Sequence, residues 1–418
     1  MSAPRPPARD TGPRLVIDRG SMVPALALLG LLLAAALSVA LLFGGISFFG
    51  GSGNSSGGQA GGGSQRTPNP SVIFTPEPSP DAPPPFVGTI LFTQDGNLWS
   101  MEEEVVKQLT SAGTDAMPTW LPDGSGVVLV ETRRRKTTIP YGGSLEDYVL
   151  DYPVLVKVTP DGTSRSVIES GLYKLKGGSN RYYFSWLLQP DVSPDGSTIA
   201  LVSDAPDPFD EDVRLSVLPI EGGKVKNLGV RQNSRLGHND PAWSPDGKRI
   251  AMTYNGRDGA IGAPRLATYT PATKKLRFVT PRGYAQPSWS PDGTFLAAVK
   301  TTGAGRDVVI IRVSDGAVVE RLTSDGRSFA PTWGPDGSGI AYLNLTAAGA
   351  DLRLVQLGPP AGSDGVPTVV DDIALTTDTR LDPASRPAWY IPPERLPAPS
   401  TAPSPSASGA SPSVAPSP

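Results

Sequence analysis

The chain is 418 residues long and carries 47 glycines and 46 prolines, a composition that points to many turns, to low-complexity segments, or to both. Its 37 basic and 40 acidic side chains leave a net charge of -3, without the positive footprint that nucleic-acid binding requires. With no cysteine and with His238 as the only histidine, disulfides, thiolate chemistry, cysteine-ligated metals and a multi-histidine metal centre within one chain are excluded, and no cofactor is expected.

Residues 1–21 read as a cytoplasmic segment. Arg5, Arg9, Arg14 and Arg19 outnumber Asp10 and Asp18 ahead of an apolar run, and the positive-inside bias keeps such an end in the cytoplasm. Residues 22–49 contain no ionisable side chain. As a helix, residues 23–43 span about 31 Å, matching a hydrocarbon core of roughly 30 Å, so the run is expected to be a single transmembrane helix with everything after it exported. A cleaved leader ending at Ser38-Val39-Ala40 is the rival reading. The apolar run continues past that point through Leu42, Phe43, Ile46 and Phe49 and exceeds an ordinary leader core, which favours an anchor. Residues 50–85 are Gly/Ser-rich and then Pro-rich, a flexible coil leading into a stiffer polyproline stretch that suits a stalk. The Pro/Ser/Ala-rich tail, residues 392–418, is compositional and is not expected to fold.

Between stalk and tail the chain repeats itself. MPTWLPDGSGVVLV, QPDVSPDGSTIALV, DPAWSPDGKRIAMT, QPSWSPDGTFLAAV and APTWGPDGSGIAYL align on Asp123, Asp195, Asp246, Asp292 and Asp336. Trp120, Val192, Trp243, Trp289 or Trp333 stands three residues before the aspartate, and an apolar pair such as Ile250-Ala251 stands four and five after it. A Pro-Asp-Gly tripeptide suits a type I turn ending in a left-handed glycine, so each copy reads as a hairpin joining two strands. Two further strands follow, for example at residues 264–271 and 275–280. Four short strands per unit make a propeller blade. Residues 88–110 supply three strands without the Trp-bearing first one, and SRPAWY, residues 385–390, supplies that strand alone with Trp389. The expected fold is therefore all-β: a six-bladed propeller over residues 86–391. The N- and C-terminal strands close one blade, residues 387–390 lying beside residues 90–94.

The P-x-W-S-P-D-G-x-x-I-A unit resembles the β-propeller repeat of the TolB family. The resemblance covers about 300 residues, by the repeat-period criterion, and implies an exported bacterial propeller that binds a partner; with the chain anchored in the membrane, that partner is expected to be a protein of the cell envelope.

The repeated aspartates are explained by their turns and are read as scaffold. A G-x-S-x-G match at Gly53, Ser55 and Gly57 lies in the stalk, not on a strand-to-helix elbow, and is discounted. Phosphate-loop and dinucleotide fingerprints are missing from the sequence. Two insertions between the first and second motifs stand out. One carries Arg133, Arg134, Arg135 and Lys136 in an expected loop. The other crowds Tyr173, Tyr182, Tyr183, Phe184 and Trp186 beside Arg and Lys, which is favoured interface material. Loops on a rigid scaffold carry binding. Arg133, Arg134, Arg135, Tyr182, Tyr183 and Trp186, with His238 at the ring's mouth, are the candidate partner-binding residues, and no catalytic or metal residue is expected. The alternative is an enzyme acting on glycans or peptides with carboxylates in the central channel. A transmembrane sensor is the third reading, and it needs another chain for its output because the cytoplasmic segment is short.

Overall fold

A computed structural model of the protein describes residues 84–397, apart from residues 104, 142, 176–179, 207, 209–211, 232–236, 257–262 and 304. The apolar run 22–49, most of the linker and most of the tail lie outside the described residues. Among those described, no helix is long and apolar enough to cross a membrane.

Six four-stranded antiparallel sheets form the body, with one additional two-stranded hairpin. Numbered as blades 1–6, their first strands are Ala388–Tyr390, Asp115–Trp120, Leu188–Val192, His238–Trp243, Tyr284–Trp289 and Ser328–Trp333. Each first strand packs beside the first strands of both neighbouring blades, which places these six strands around the axis of a closed ring. Second strands such as Ile250–Tyr254 are buried along their whole length because both faces of the sheet are covered by neighbours. Ala200, Ala251, Ala297 and Ala341, the alanines of the repeat, are fully buried. The core between blades 5 and 6 is typical: Phe295, Val308 and Ile310 interdigitate with Trp333, Ile340, Tyr342 and Val355.

The motif turns form as their sequence dictates. Gly124, Gly196, Gly247, Gly293 and Gly337 sit at φ of 67–78°. Each donates its N–H to the carbonyl three residues back, at 2.8–2.9 Å. The intervening aspartate accepts the N–H two residues further on at 2.9–3.1 Å. The Ser193 hydroxyl, with the N–H of Ser197, holds Asp195 down to about 2, and the Ser244 hydroxyl likewise lowers Asp246. These aspartates bind their own turns.

Blade 1 draws its strands from both ends of the chain. Thr89, Ile90 and Leu91 pair with Tyr390, Trp389 and Ala388, so the closing strand lies where the repeat arithmetic puts it, with its register beginning at Thr89. Trp389 is buried, donates its indole N–H to the Val87 carbonyl at 2.8 Å, and meets the edge of Phe86 with ring centroids 5.6 Å apart. Gly88, at φ +89°, has to be glycine, since a Cβ there would stand 2.1 Å from the Tyr390 carbonyl oxygen.

Replacing Trp389 by Ala removes the largest side chain of the closing strand and is expected to cost about 3–5 kcal/mol. Stopping the chain after residue 384 is expected to cost more and to expose the Thr89–Gln94 edge to aggregation. Calorimetric melting of both variants checks this. A midpoint equal to that of the intact chain would mean that the last strand contributes nothing to the ring.

Candidate functional site

Blade 2 departs from the others. Its two middle strands, Val127–Tyr141 and Ser144–Val158, are each 15 residues long, against 5–9 in the other blades. They pair without interruption from Val127↔Val158 to Tyr141↔Ser144. The flanking strands stop at Glu131 on one side and Val154 on the other. The rungs beyond that level therefore leave the blade as a two-stranded arm, about 30 Å long at the usual rise of a strand.

An ion-pair network anchors the arm at its base. Arg165 grips fully buried Asp115 with two bonds of 3.0 and 3.1 Å and reaches Glu131 at 2.9 Å, while Arg133 bonds Glu131 at 2.6 Å. The hydrogen bond from Arg133 holds Glu131 below the ordinary carboxylate range. A second hairpin, Leu172–Lys174 with Tyr182–Phe184, braces the arm higher up. Thr137 Oγ1 accepts the Tyr182 N–H at 2.8 Å and donates to the Tyr182 carbonyl at 3.1 Å, and the Thr138 N–H donates to the Asn180 carbonyl at 3.0 Å. The Arg135 guanidinium lies 4.4 Å over the Tyr182 ring and bonds its hydroxyl at 2.9 Å. From there aromatic contacts run from Tyr173 through Tyr183 and Phe184 to Trp186, with centroids 4.9–6.0 Å apart. The Trp186 N–H donates to Asp204 at 2.8 Å, and burial raises Asp204 to about 7 and lifts the Tyr183 hydroxyl.

The two insertions thus meet in space, as one braced projection. The arginine run lies in a strand, however, not in a loop, and alternation divides it. Arg133 and Arg135 share the braced face with Thr137 and Leu150, whereas Arg134 and Lys136 share the opposite face with Asp151 and Val149. Arg134 pairs with Asp151 at 2.9 Å out in solvent. One cationic cluster becomes two differently engaged pairs.

His238 lies within the ring wall and is fully buried. Its Nδ1 accepts the Leu215 N–H at 3.1 Å. The same bond is made by Thr110 to Leu98, Thr280 to Leu266, Thr323 to Val308 and Thr376 to Leu352 in other blades. His238, from the first strand of blade 4, therefore does for blade 3 what a structural threonine does within the other blades. Burial holds it down to about 4, so it is neutral at physiological pH, inside the wall instead of at the ring's mouth.

A second constellation, which motif reasoning passed over, surrounds the axis. It consists of the residue before the repeat proline in each blade: Arg386, Met117, Gln189, Asp240, Gln286 and Ala330. Five of them, all but Arg386, hold φ at 51–55°, a strained region for non-glycine residues before proline, at a bulge in the first strand. The first strand has no neighbour on its axial side, and the preceding blade supplies the missing acceptors. Met117 N–H donates to Ser385 Oγ at 2.7 Å, Gln189 N–H to Met117 Sδ at 3.3 Å, and Asp240 N–H to Gln189 Oε1 at 2.8 Å. The Gln286 N–H continues to Thr253 Oγ1 at 2.8 Å, and the Ala330 N–H to Gln286 Oε1 at 2.9 Å. Arg386 passes the blade of the small Ala330 to donate to the Pro287 carbonyl at 3.0 Å. Nearby, Asp191 accepts the Trp243 N–H at 2.6 Å. Burial raises Asp191 to about 6 and also raises Asp240, against the opposing charge of Arg386. The residue ahead of each proline is the sequence signal that locates this girdle.

Solved structures resemble the ring. TolB from Acinetobacter baumannii superposes with a TM-score of 0.51 at 18% identity, over 72% of this chain and 66% of that one. The ring shares the β-propeller fold of that TolB. The chain spans just under two thirds of that TolB. A putative TolB from Agrobacterium tumefaciens gives 0.49 at 14% identity over 74% of this chain and 95% of its own. A chain of a nidogen/laminin complex gives 0.48 at 14% identity over 73% and 98%. No protein-family model matches the sequence, and no curated protein matches it either.

Asp191 and Asp204 hold their protons more tightly in the fold than in the unfolded chain, where carboxyls titrate near 4. Their contribution to stability is complete below that value. It is lost as pH rises through about 6 for Asp191 and about 7 for Asp204. Asp204→Asn and Asp191→Asn, which retain an oxygen for the bound N–H, are each expected to raise stability at pH 8 by on the order of 1 kcal/mol and to change it little at pH 4. Denaturant melts at the two pH values check this, and an equal shift at both would remove the titration as its cause.

Proposed function

We propose that the chain is a membrane-anchored, extracytoplasmic propeller that binds a protein of the cell envelope and catalyses no reaction. The observation that carries this reading is the braced arm of blade 2. A two-stranded ribbon is marginal in water by itself. Here an ion-pair network at its base and the Tyr182 hairpin along one face hold it out from the ring, leaving Leu145, Tyr148 and Val149 exposed. Rigid projections with exposed apolar and aromatic groups are what a protein interface uses. The anchor is supported by the apolar run 22–49 behind an arginine-biased start, which sets the ring outside the cytoplasmic membrane.

A second reading, an enzyme acting on glycans or peptides, is favoured by one observation: Asp191 is raised to about 6 near the axis, in the range suited to a general acid. Against it, both Asp240 oxygens are taken by Gln189 and Thr253, and Asp191 is engaged with Trp243. Two of these bonds, Gln189 to Asp240 and Trp243 to Asp191, join blades 3 and 4, so the axial carboxylates are already engaged in holding the ring together.

Replacing residues 132–153 by a two-residue turn is expected to leave the ring folded and to abolish capture of a specific envelope protein in cross-linking from membranes. Retained capture would move the binding surface elsewhere on the ring. A hydrolase screen run in parallel separates the second reading, which requires turnover that disappears in Asp191→Asn.

A further inference from the structure

The arm has two edges, and the protein treats them differently. On the Val127–Tyr141 strand, the N–H groups of Thr132 and Thr138 point away from the ribbon and are capped by the carbonyls of Thr114 and Asn180. That fixes the phase of the ladder: odd-numbered residues of this strand bond inward to Arg133↔Tyr152, Arg135↔Leu150, Thr137↔Tyr148 and Ile139↔Glu146. On the Ser144–Val158 strand, the groups facing outward are then those of Leu145, Asp147, Val149, Asp151 and Pro153. The Pro153 carbonyl confirms the phase by accepting the Gly171 N–H at 2.9 Å. Beyond Val154 no strand pairs with this edge among the described residues. Four consecutive outward-facing peptide groups are left, and their side chains all project on the face opposite the bracing hairpin.

Native proteins blunt such edges with lysine, proline or a bulge. This one is straight, unbulged and free of both residue types over 145–151, and Leu145 and Val149 flank Asp147 with 62% and 53% exposure. Asp151 already has Arg134 at 2.9 Å. Across the ribbon from Asp147 stands Thr138, which supplies no countercharge.

We propose that the Leu145–Asp151 edge accepts an extended segment of the partner as a third strand, reading apolar-x-basic-x-apolar, with its basic residue opposite Asp147 and its apolar residues opposite Leu145 and Val149. Main-chain bonds supply the affinity and the alternating side chains the selection, as in other strand additions. The proposal rests on the arm being the binding surface and names the chemistry that it selects.

The test uses the full-length chain in mild detergent and a fluorescein-labelled heptapeptide in which threonines alternate with valine, lysine and valine. Fluorescence polarisation is expected to report saturable binding. Replacing the central lysine by glutamate, or N-methylating alternate peptide nitrogens, is expected to weaken it at least tenfold. Val149→Pro removes one outward N–H without touching the inward ladder, and Asp147→Lys reverses the charge; both are expected to lose the lysine peptide, and Asp147→Lys to gain the glutamate peptide. Circular dichroism melts identical to the parent's establish that each variant is folded. Equal binding of all peptides, or unchanged binding by both variants, overturns the edge assignment. Envelope-protein capture that needs the arm but survives both variants overturns the edge and leaves the arm reading standing; capture that ignores the arm overturns both.

Discussion

Everything in this molecule depends on three rungs of β-ladder, those joining Thr89–Leu91 to Ala388–Tyr390. Bringing together the ends of a chain roughly 300 residues long costs about 5 kcal/mol in loop entropy, and the cost rises only slowly with length. Burial answers it. Trp389, Phe86, Ile90 and Ile391 enter one cluster with Leu343, Leu352 and Leu354 of blade 6, so the closing strand is core material. Aromatic side chains buried at this scale contribute about 25 cal/mol for each Å² removed from water, enough for two of them to offset the loop term. Without closure, blade 1 would present the unpaired Thr89–Gln94 edge and blade 6 an uncovered apolar face, and the repeat would become an open stack prone to association.

Closure creates a second problem on the inside of the ring. A first strand is an edge strand wherever it faces the axis, and its outward N–H groups have no ladder to join. Five of the six blades solve this for the next. The glutamines at 189 and 286 and the hydroxyls of Ser385 and Ser288 accept N–H groups from the following blade's first strand. The left-handed bulge before five of the six repeat prolines turns those N–H groups toward their acceptors. The local strain is balanced by bonds that exist only when the neighbouring blade is in place, which couples the sheets around the circle in a way that stacked apolar faces alone would not. The variety at these positions follows from the same geometry: Ala330 leaves room that the long Arg386 crosses to reach Pro287.

Much of this was legible in the sequence because it repeats. Pro-Asp-Gly encodes a turn through backbone preferences that no tertiary contact has to override, and the lone SRPAWY segment betrays closure by lacking a hairpin partner of its own. The blade count, the strand pairs at residues 264–280 and the scaffold role of the motif aspartates follow from local rules. The arm did not. A run of three arginines and a lysine reads as a solvated loop because its charge hides the alternation, and only the register opposite Ser144–Val158 divides it into a braced and an open half. His238 was opaque for a different reason: its role is set by the Leu215 N–H of another strand, where four other blades use threonine, and equivalence between an imidazole nitrogen and a hydroxyl oxygen leaves no trace in a motif.

The arm and the ring are therefore mechanically continuous. A ribbon ten rungs beyond its sheet would fray if its base were mobile, since each rung holds only against the one beneath it. The base here is Asp115, fully buried in the first strand of blade 2 and clamped by Arg165. That same strand packs against the closing strand, Trp120 lying on Tyr390 with ring centroids 5.1 Å apart. The base of the arm thus rests directly on the joint that closes the circle.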